Sequence, residues 1–251
     1  MCVLIVLHRT IPNYPVVVAA NREEAYARQG EEPQLLNDTP RIWGGRDPEA
    51  GGTWLALNEY GLAIGLTNRR EHPYAASEAR SRGLLVLDLA HATSAAEAAK
   101  RCVVQLNQQA YKGFNILCAD PQEVWKVQHT GHRTTYERLE GRLHVVTNGE
   151  VDDRSEPRIE RAWQTLESVA GLGIEKTVPV IQRMLAERGT GPDDPAAMCL
   201  YGKQSGTLSS TILAVADSIE HTRCWHAQGP PADTPYSDYS RLFRRISSET
   251  T

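Results

Sequence analysis

The sequence predicts an α+β fold of four layers, with two sheets enclosed between two helical layers. Three observations carry this. The apolar runs Val3-Leu4-Ile5-Val6-Leu7 and Val16-Val17-Val18-Ala19-Ala20 are continuous rather than alternating, as in strands covered on both faces. The elements follow the order strands, paired helices, strands, paired helices, strands, which stacks into layers. Finally, 251 residues with 41% hydrophobic content suffice for one large core. The whole chain, 1–251, therefore reads as a single domain with a polar tail from about residue 247.

Taken in order, Val3 to His8 and Val16 to Ala20 form a first strand pair around the turn residues Ile11-Pro12-Asn13-Tyr14-Pro15, with His8 as a polar cap. From Ala25 to Gly52 the composition turns to Pro, Gly, Asn, Asp and Glu and predicts a long loop, of a length that is usually functional or mobile. Its glycine doublets, Gly44-Gly45 and Gly51-Gly52, mark either unusual backbone or close approach to a ligand, or else a structural turn. Thr53 to Leu57 and Gly61 to Thr67 flank the hairpin turn Asn58-Glu59-Tyr60-Gly61. Ser77 to His91 and Ser94 to Asn107 read as two helices, the second opened by a Ser94-Ala95-Ala96-Glu97 capping box. Four short strands, Phe114–Ala119, Glu123–His129, Thr134–Arg138 and Leu143–Thr147, follow as a meander. Apolar periodicity then predicts helices over Arg154–Val169 and Glu175–Arg188. Gly206–Asp217 and Thr222–Ala227 form a last hairpin, and Tyr236–Ile246 reads as a final amphipathic helix.

Composition narrows the function classes. Lys+Arg 27 against Asp+Glu 31 gives a net charge of −4, without the basic excess of a nucleic-acid binder. The longest apolar runs fall far short of the roughly 20 residues of a membrane helix, and the N-terminus lacks the pattern of a signal peptide. A cytoplasmic protein is expected. Its five cysteines, Cys2, Cys102, Cys118, Cys199 and Cys224, are scattered and odd in number, which argues against a disulfide framework or a structural zinc. His129 and His132 have a His-x-x-His spacing but no convergent third ligand, so no metal is expected.

Chemistry concentrates at the start. Cys2 stands at the mouth of the first strand, and removal of Met1 would leave it a free α-amine beside its thiol. The ordinary values of these groups, about 7.7–8.0 for the amine and about 8.5 for the thiol, let them exchange a proton near neutral pH. The second strand then delivers Asn21-Arg22-Glu23-Glu24. Arg22 is positioned to favour the thiolate, Glu23 or Glu24 to hold the α-ammonium, and Asn21 to offer an oxyanion donor. The alternative is a small buried thiol followed by a solvated loop. Asn68 also emerges from a strand end beside Arg69, and Trp43 and Trp54 either wall a shared pocket or simply pack. Asn148-Gly149 favours a turn. Ser209 and Thr211 either contact a substrate or pack on a central strand, and no Gly-x-Ser-x-Gly surrounds them.

The segments Ala19-Ala20-Asn21-Arg22-Glu23-Glu24, Trp43-Gly44-Gly45-Arg46-Asp47, Ala50-Gly51-Gly52-Thr53-Trp54-Leu55 and Leu66-Thr67-Asn68-Arg69-Arg70, with Met-Cys at the start, resemble the transport and Golgi organization protein 2 family. That family is also called NRDE after its Asn-Arg-Asp-Glu signature. The likeness is dense over residues 1–70 and continues in Val146-Thr147-Asn148 and Gly206 to Ile212. Glu23 stands where the signature has Asp, one methylene longer at the same charge.

The family looks like a branch of the N-terminal nucleophile hydrolases. The resemblance thus implies the αββα sandwich of that class and, as its leading reading, an amidohydrolase acting on a small-molecule amide or acyl substrate. In this reading Cys2, Arg22, Glu23 and Asn148 are catalytic, with Asn148 the oxyanion donor matching that of the cysteine-nucleophile acylases. Asn21, Glu24, Arg46, Trp54, Asn68 and Arg69 would bind substrate, with no cofactor required. Eukaryotic members are linked to haem trafficking and acyl-coenzyme A handling. The alternative is therefore a carrier that binds haem or an acyl-coenzyme A in the same cleft, with Arg22, Arg46 and Arg69 pairing with propionates or phosphates.

Overall fold

The computed structural model describes residues 2–69, 79–191 and 194–244. The first hairpin is longer than its apolar runs: β1 spans Val3–Ile11 and β2 spans Tyr14–Ala25, turning at Pro12-Asn13 with Asn13 in the left-handed region. The polar cluster from Asn21 to Glu24 therefore lies within a strand, not in a loop after one. Strand geometry sends alternate residues to opposite faces. Val3, Ile5, Leu7, Val17 and Ala19 pack against one helical layer, while Leu4, Val6, Val16, Val18 and Ala20 pack between the sheets.

The segment from Ala25 to Gly52, expected as a loop, contains two strands, β3 (Pro33–Asp38) and β4 (Arg41–Gly45). They escape a composition reading because β3 is a half-exposed edge strand that begins with proline, where an edge tolerates it, and β4 ends in two glycines. β5 (Leu55–Asn58), β6 (Ala63–Asn68), β7 (Phe114–Ala119), β8 (Val124–His129) and β9 (Thr134–Leu139) complete a seven-stranded antiparallel sheet in chain order.

The expected four-strand meander breaks at its last member. β10 (Leu143–Val146) leaves this sheet and pairs antiparallel with β1, because all four of its residues are buried and its neighbour in sequence, β9, is a mostly exposed edge. The second sheet has the order β10-β1-β2-β11-β12-β13, with β11 at Ser205–Val215, β12 at Arg223–Ala227 and β13 at Ser237–Asp238.

Helices α1 (Arg82–Leu89) and α2 (Ala95–Leu106) cover the seven-stranded sheet, and α3 (Pro157–Leu166) and α4 (Ile174–Leu185) cover the six-stranded one. The capping box of α2 is half formed: Ser94 accepts from the Glu97 amide, but the Glu97 carboxylate receives the Thr93 amide at 2.7 Å. The expected helix over Tyr236–Ile246 is instead β13 followed by a 3-10 turn at Ser240–Phe243. Phe243 is drawn into the space between the sheets, edge-on to Trp43 at 5.2 Å between ring centroids, a pairing a continuous helix would not deliver. Residues 77–78 of the first expected helix and the tail from about 247 lie outside the described residues. The four-layer α+β architecture follows as the sequence predicts.

Asn58 shows how the hairpin turn is locked. It is fully buried, its amide donates to Ala90 O and Ala92 O at 2.8 and 2.7 Å, and its Oδ1 accepts from Tyr60 N and Leu62 N. Replacing it takes the partner from three buried backbone groups, Ala90 O, Ala92 O and Leu62 N, and from the part-buried Tyr60 N. Asn58→Ala should lower unfolding stability by about 2–4 kcal/mol in urea titration, while Asn58→Asp, which cannot donate, should cost a similar amount.

Candidate functional site

The ladder registers assemble the site. Val3 pairs with Asn21 and Leu4 with Val146. Carrying those antiparallel registers past the last pairs sets Cys2 across from Arg22 on one side and from Asn148 on the other. Cys2 shares its strand face with Leu4 and Val6, toward the inter-sheet side, and lines a cleft of about 220 Å³ with Arg22, Glu23, Glu24, Trp54 and Asn68. Six of the residues singled out in the sequence thus share one cavity. The expectation that Cys2 is only a buried core thiol does not hold, since it is half-buried at a cleft wall.

Arg22 is buried and held from two sides: Nη2 donates to Arg28 O at 3.0 Å, and its guanidinium lies 4.6 Å from the centroid of the Trp54 ring. Its Nη1 is buried without a hydrogen-bond partner, a donor left over for a ligand or reacting group. Asn68 and Asn148, which leave separate strands of separate sheets, touch: Asn148 Nδ2 donates to the Asn68 carbonyl. One Asn148 N–H therefore stays available, while its buried Oδ1 has no partner.

Asn21 does not join the cleft. Strand alternation turns it to the α4 side, where both hydrogens of its buried amide go to Leu185 O and Met198 O at 3.0 and 2.9 Å, so it has none left for an oxyanion. The Glu23 side chain is turned the same way, while its backbone meets the cleft, Glu23 N donating to the Cys2 sulfur at 3.5 Å. Its carboxylate forms a two-pronged pair with Arg158 on α3, whose Nη2 also donates to Met198 O at 3.1 Å. Both partners are nearly inaccessible. Arg46 is exposed and outside the cleft lining, because β4 ends at Gly45 and releases it to solvent. Arg69 is also spent elsewhere: it bonds Asn115 Oδ1 and Gly149 O and pairs with Glu150 at 2.5 Å, tying the end of β6 to the turn after β10. Trp43 packs in the inter-sheet core rather than walling the cleft. Arg70 lies outside the described residues.

The electrostatics of Cys2 depart from expectation. Burial raises the thiol pKa above its ordinary value, and the Glu23 carboxylate raises it further; the Glu23 backbone hydrogen bond and the Arg22 charge only oppose this. Burial also raises the Glu23 carboxyl, with Arg158 pulling it back down. In the chain that carries Met1, the Arg22 charge does not outweigh the burial that raises the Cys2 thiol.

Sequence reasoning missed Arg158, and a signal was present. It falls on the buried stripe of α3 with Ile159, Ala162 and Leu166, where an arginine needs a buried partner. It also missed Arg28, Arg80, Arg82 and Lys112 on the cleft wall, since nothing local distinguishes them from solvated charges, and it gave no role to Asp47, although that residue closes one of the segments that carry the family resemblance. Arg28 is fixed by Asp47 at 2.7 Å and Arg80 by Asp88 at 2.6 Å. The glycine-rich stretch is explained by packing: a Cβ on Gly52 would strike the Gly83 backbone, so the turn before Trp54 lies flush against the start of α1. No group of three or more His, Cys, Asp or Glu poised for a metal occurs among the described residues. Nor is any described helix long and apolar enough to cross a membrane.

Two solved structures share this architecture. Penicillin V acylase from Agrobacterium tumefaciens superposes with a TM-score of 0.61 at 14% identity, over 97% of this chain and 88% of that one. The N-acylethanolamine-hydrolyzing acid amidase ortholog of Caenorhabditis elegans gives 0.57 at 14% identity, over 86% and 95%. At such identity the likeness is one of fold, and the chain has the fold of the N-terminal nucleophile hydrolases. The family profile described as Transport and Golgi organisation 2 matches residues 1–222, and the chain belongs to that family. It is 33% identical over 110 residues to the human Transport and Golgi organization protein 2 homolog, covering 43% of this chain and 39% of that protein. The mouse homolog is 35% identical over 111 residues with the same shares. The matched region thus spans about two fifths of each mammalian relative.

Two outcomes test this site. Arg158→Met takes away the two-pronged partner of the buried Glu23 carboxylate and should destabilise the fold by about 3–5 kcal/mol in denaturant unfolding. In the chain that keeps Met1, alkylation of Cys2 by iodoacetamide should still be accelerating at pH 9, and Glu23→Gln, by removing a negative neighbour, should move that rise to lower pH. An unmoved profile in a folded Glu23→Gln protein would contradict the assigned influence of Glu23.

Proposed function

We propose that the protein is a cysteine N-terminal nucleophile amidohydrolase acting on a small-molecule amide, active once Met1 is removed. The observation that carries this reading is that Cys2, Arg22, Trp54 and Asn68 line one cleft, with Asn148 bonded to the Asn68 carbonyl. Exposure of the Cys2 amine would give Glu23 a second cation to hold beside Arg158 and supply a base of ordinary pKa about 7.7–8.0. The Cys2 sulfur attacks the amide carbonyl carbon as its proton passes to that amine. The free N–H of Asn148, with Asn68 beside it, steadies the oxyanion. The carbon–nitrogen bond then breaks as the amine returns the proton to the leaving nitrogen, and a thioester remains. Water adds to the thioester, the carbon–sulfur bond breaks, and a carboxylic acid leaves. The two fold neighbours are named as an acid amidase ortholog and an acylase, which supports the reaction class.

A second reading, a carrier of haem or of an acyl-coenzyme A in the same cleft, is favoured by its cations. Arg22, Arg28, Arg80, Arg82 and Lys112 line the cleft against Glu24, Asp47 and the Arg158-bound Glu23. A cytoplasmic site of action belongs to either reading and is supported by five unpaired cysteines.

A panel of acyl amides run on wild type, Cys2→Ala and Asn148→Ala separates the two. Hydrolysis should vanish without the thiol and fall about 100- to 1,000-fold without the asparagine. Turnover that persists in Cys2→Ala removes the proposal. A haem titration of wild type and Arg22→Ala tests the carrier, and the absence of any spectral shift would count against that ligand.

A further inference from the structure

We infer that the apolar space between the two sheets is the acyl-group chamber of the cleft, and that the Trp54 indole is the partition that limits how long an acyl chain the site accepts. This rests on the amidohydrolase reading above and adds a substrate class to it: amides with a short apolar acyl group and a polar amine portion.

Trp54 belongs to two cavities at once. It lines the cleft that contains Cys2 and also a separate space of about 30 Å³ lying between the sheets. That second space is walled by Trp43, Leu55 and Leu57 from one sheet, by Leu213 and Cys224 from the other, and by Phe243. Its remaining hydroxyl, on Thr211, is already bonded to His226 Nδ1 at 2.9 Å. A space of this size holds about one water, and a lining so apolar suits hydrocarbon better. The cleft on the other side of the indole is charged, with Arg22, Arg28, Glu24 and Asp47 on its wall. One side chain therefore separates a charged compartment, suited to the amine portion, from an apolar one suited to the acyl group.

The partition is built rather than incidental. Its benzo edge rests on two glycines: a Cβ on Gly45 would lie 2.6 Å from Cζ2 and 2.7 Å from Cη2, and a Cβ on Gly30 would lie 2.6 Å from Cη2. Any other residue at either position would displace the ring. Arg22 then covers the ring at 4.6 Å, so the residue that faces Cys2 also pins the partition. The seated ring narrows the way from the cleft into the chamber, so that a compact acyl group fits and a long chain does not.

Alkyl methanethiosulfonates test this without requiring turnover. The Cys2 thiolate attacks the reagent's alkyl-bearing divalent sulfur, the reagent's sulfur–sulfur bond breaks, methanesulfinate leaves, and the alkylthio group becomes attached to Sγ as a mixed disulfide, its chain in the place of an acyl chain. Rates for methyl, butyl and octyl reagents, read at Cys2 by peptide mass on the full-length protein, give a chain-length profile. In wild type the octyl reagent should be slower than the methyl. Trp54→Ala should raise the octyl-to-methyl ratio by about tenfold or more, since each methylene placed in an apolar site favours binding by about fourfold. Trp54→Phe, which keeps a ring but loses the benzo edge seated on the glycines, should fall between, and it decides the matter if Trp54→Ala does not fold. An unchanged ratio in a folded variant overturns the inference. The same proteins assayed on the amide panel keep the two claims apart: a shifted labelling profile with no hydrolysis of any amide leaves the chamber standing and removes the hydrolase.

Discussion

The site depends on the register of one strand. β1 is held between β2 and β10, and its antiparallel ladders, which pair Val3 with Asn21 and Leu4 with Val146, bring the residue preceding Val3 to the cleft that Arg22 lines. A shift of one residue would exchange the two faces of β1 and turn Cys2 from the cleft toward the helices. That slip is opposed by burial on both sides, because Val3, Ile5 and Leu7 fill the space under α3 and α4 while Leu4 and Val6 fill the space between the sheets. The position of the sulfur is thus a consequence of core packing several residues away.

The second constraint is electrostatic. A carboxylate and a guanidinium, Glu23 and Arg158, are buried together directly behind the strand that faces Cys2, and the carbonyls around them are drawn into the same network through Met198. Such a pair contributes little net stability but makes the loss of either member costly. It also gives meaning to glutamate at a position where the family signature has aspartate. The longer side chain spans from β2 to a helix in the outer layer, a contact across the layers of the sandwich that local sequence does not announce.

Much of the fold was legible in the sequence because continuous apolar runs and paired amphipathic helices report burial directly. Cys2, Arg22, Glu24, Trp54 and Asn68 were legible as a group, and they do share a cleft. What was not legible came from contacts between distant elements. β3 and β4 are hidden by a composition typical of loops, yet they form because neighbouring strands offer them hydrogen-bonding edges. β10 looks like the end of a meander and instead changes sheet. Asn21 sits one residue from Arg22 and looks equally available, yet the pleat sends it to the other face, where α4 and the segment at Met198 use up its donors.

By itself the sequence determined which segments must be buried, that they stack as a layered α+β sandwich, and that a thiol at position two stands at the mouth of a central strand. These follow from local periodicity and composition, which each stretch carries within itself. Only the tertiary structure decided which side chains face the thiol. It assigned Arg158 to Glu23, joined Asn148 to Asn68 across two sheets, released Arg46 to solvent, and seated Trp54 on Gly30 and Gly45 between two compartments. The physical reason is that register, pleat and sheet order are set by the packing of whole layers, and no single stretch of sequence contains that information.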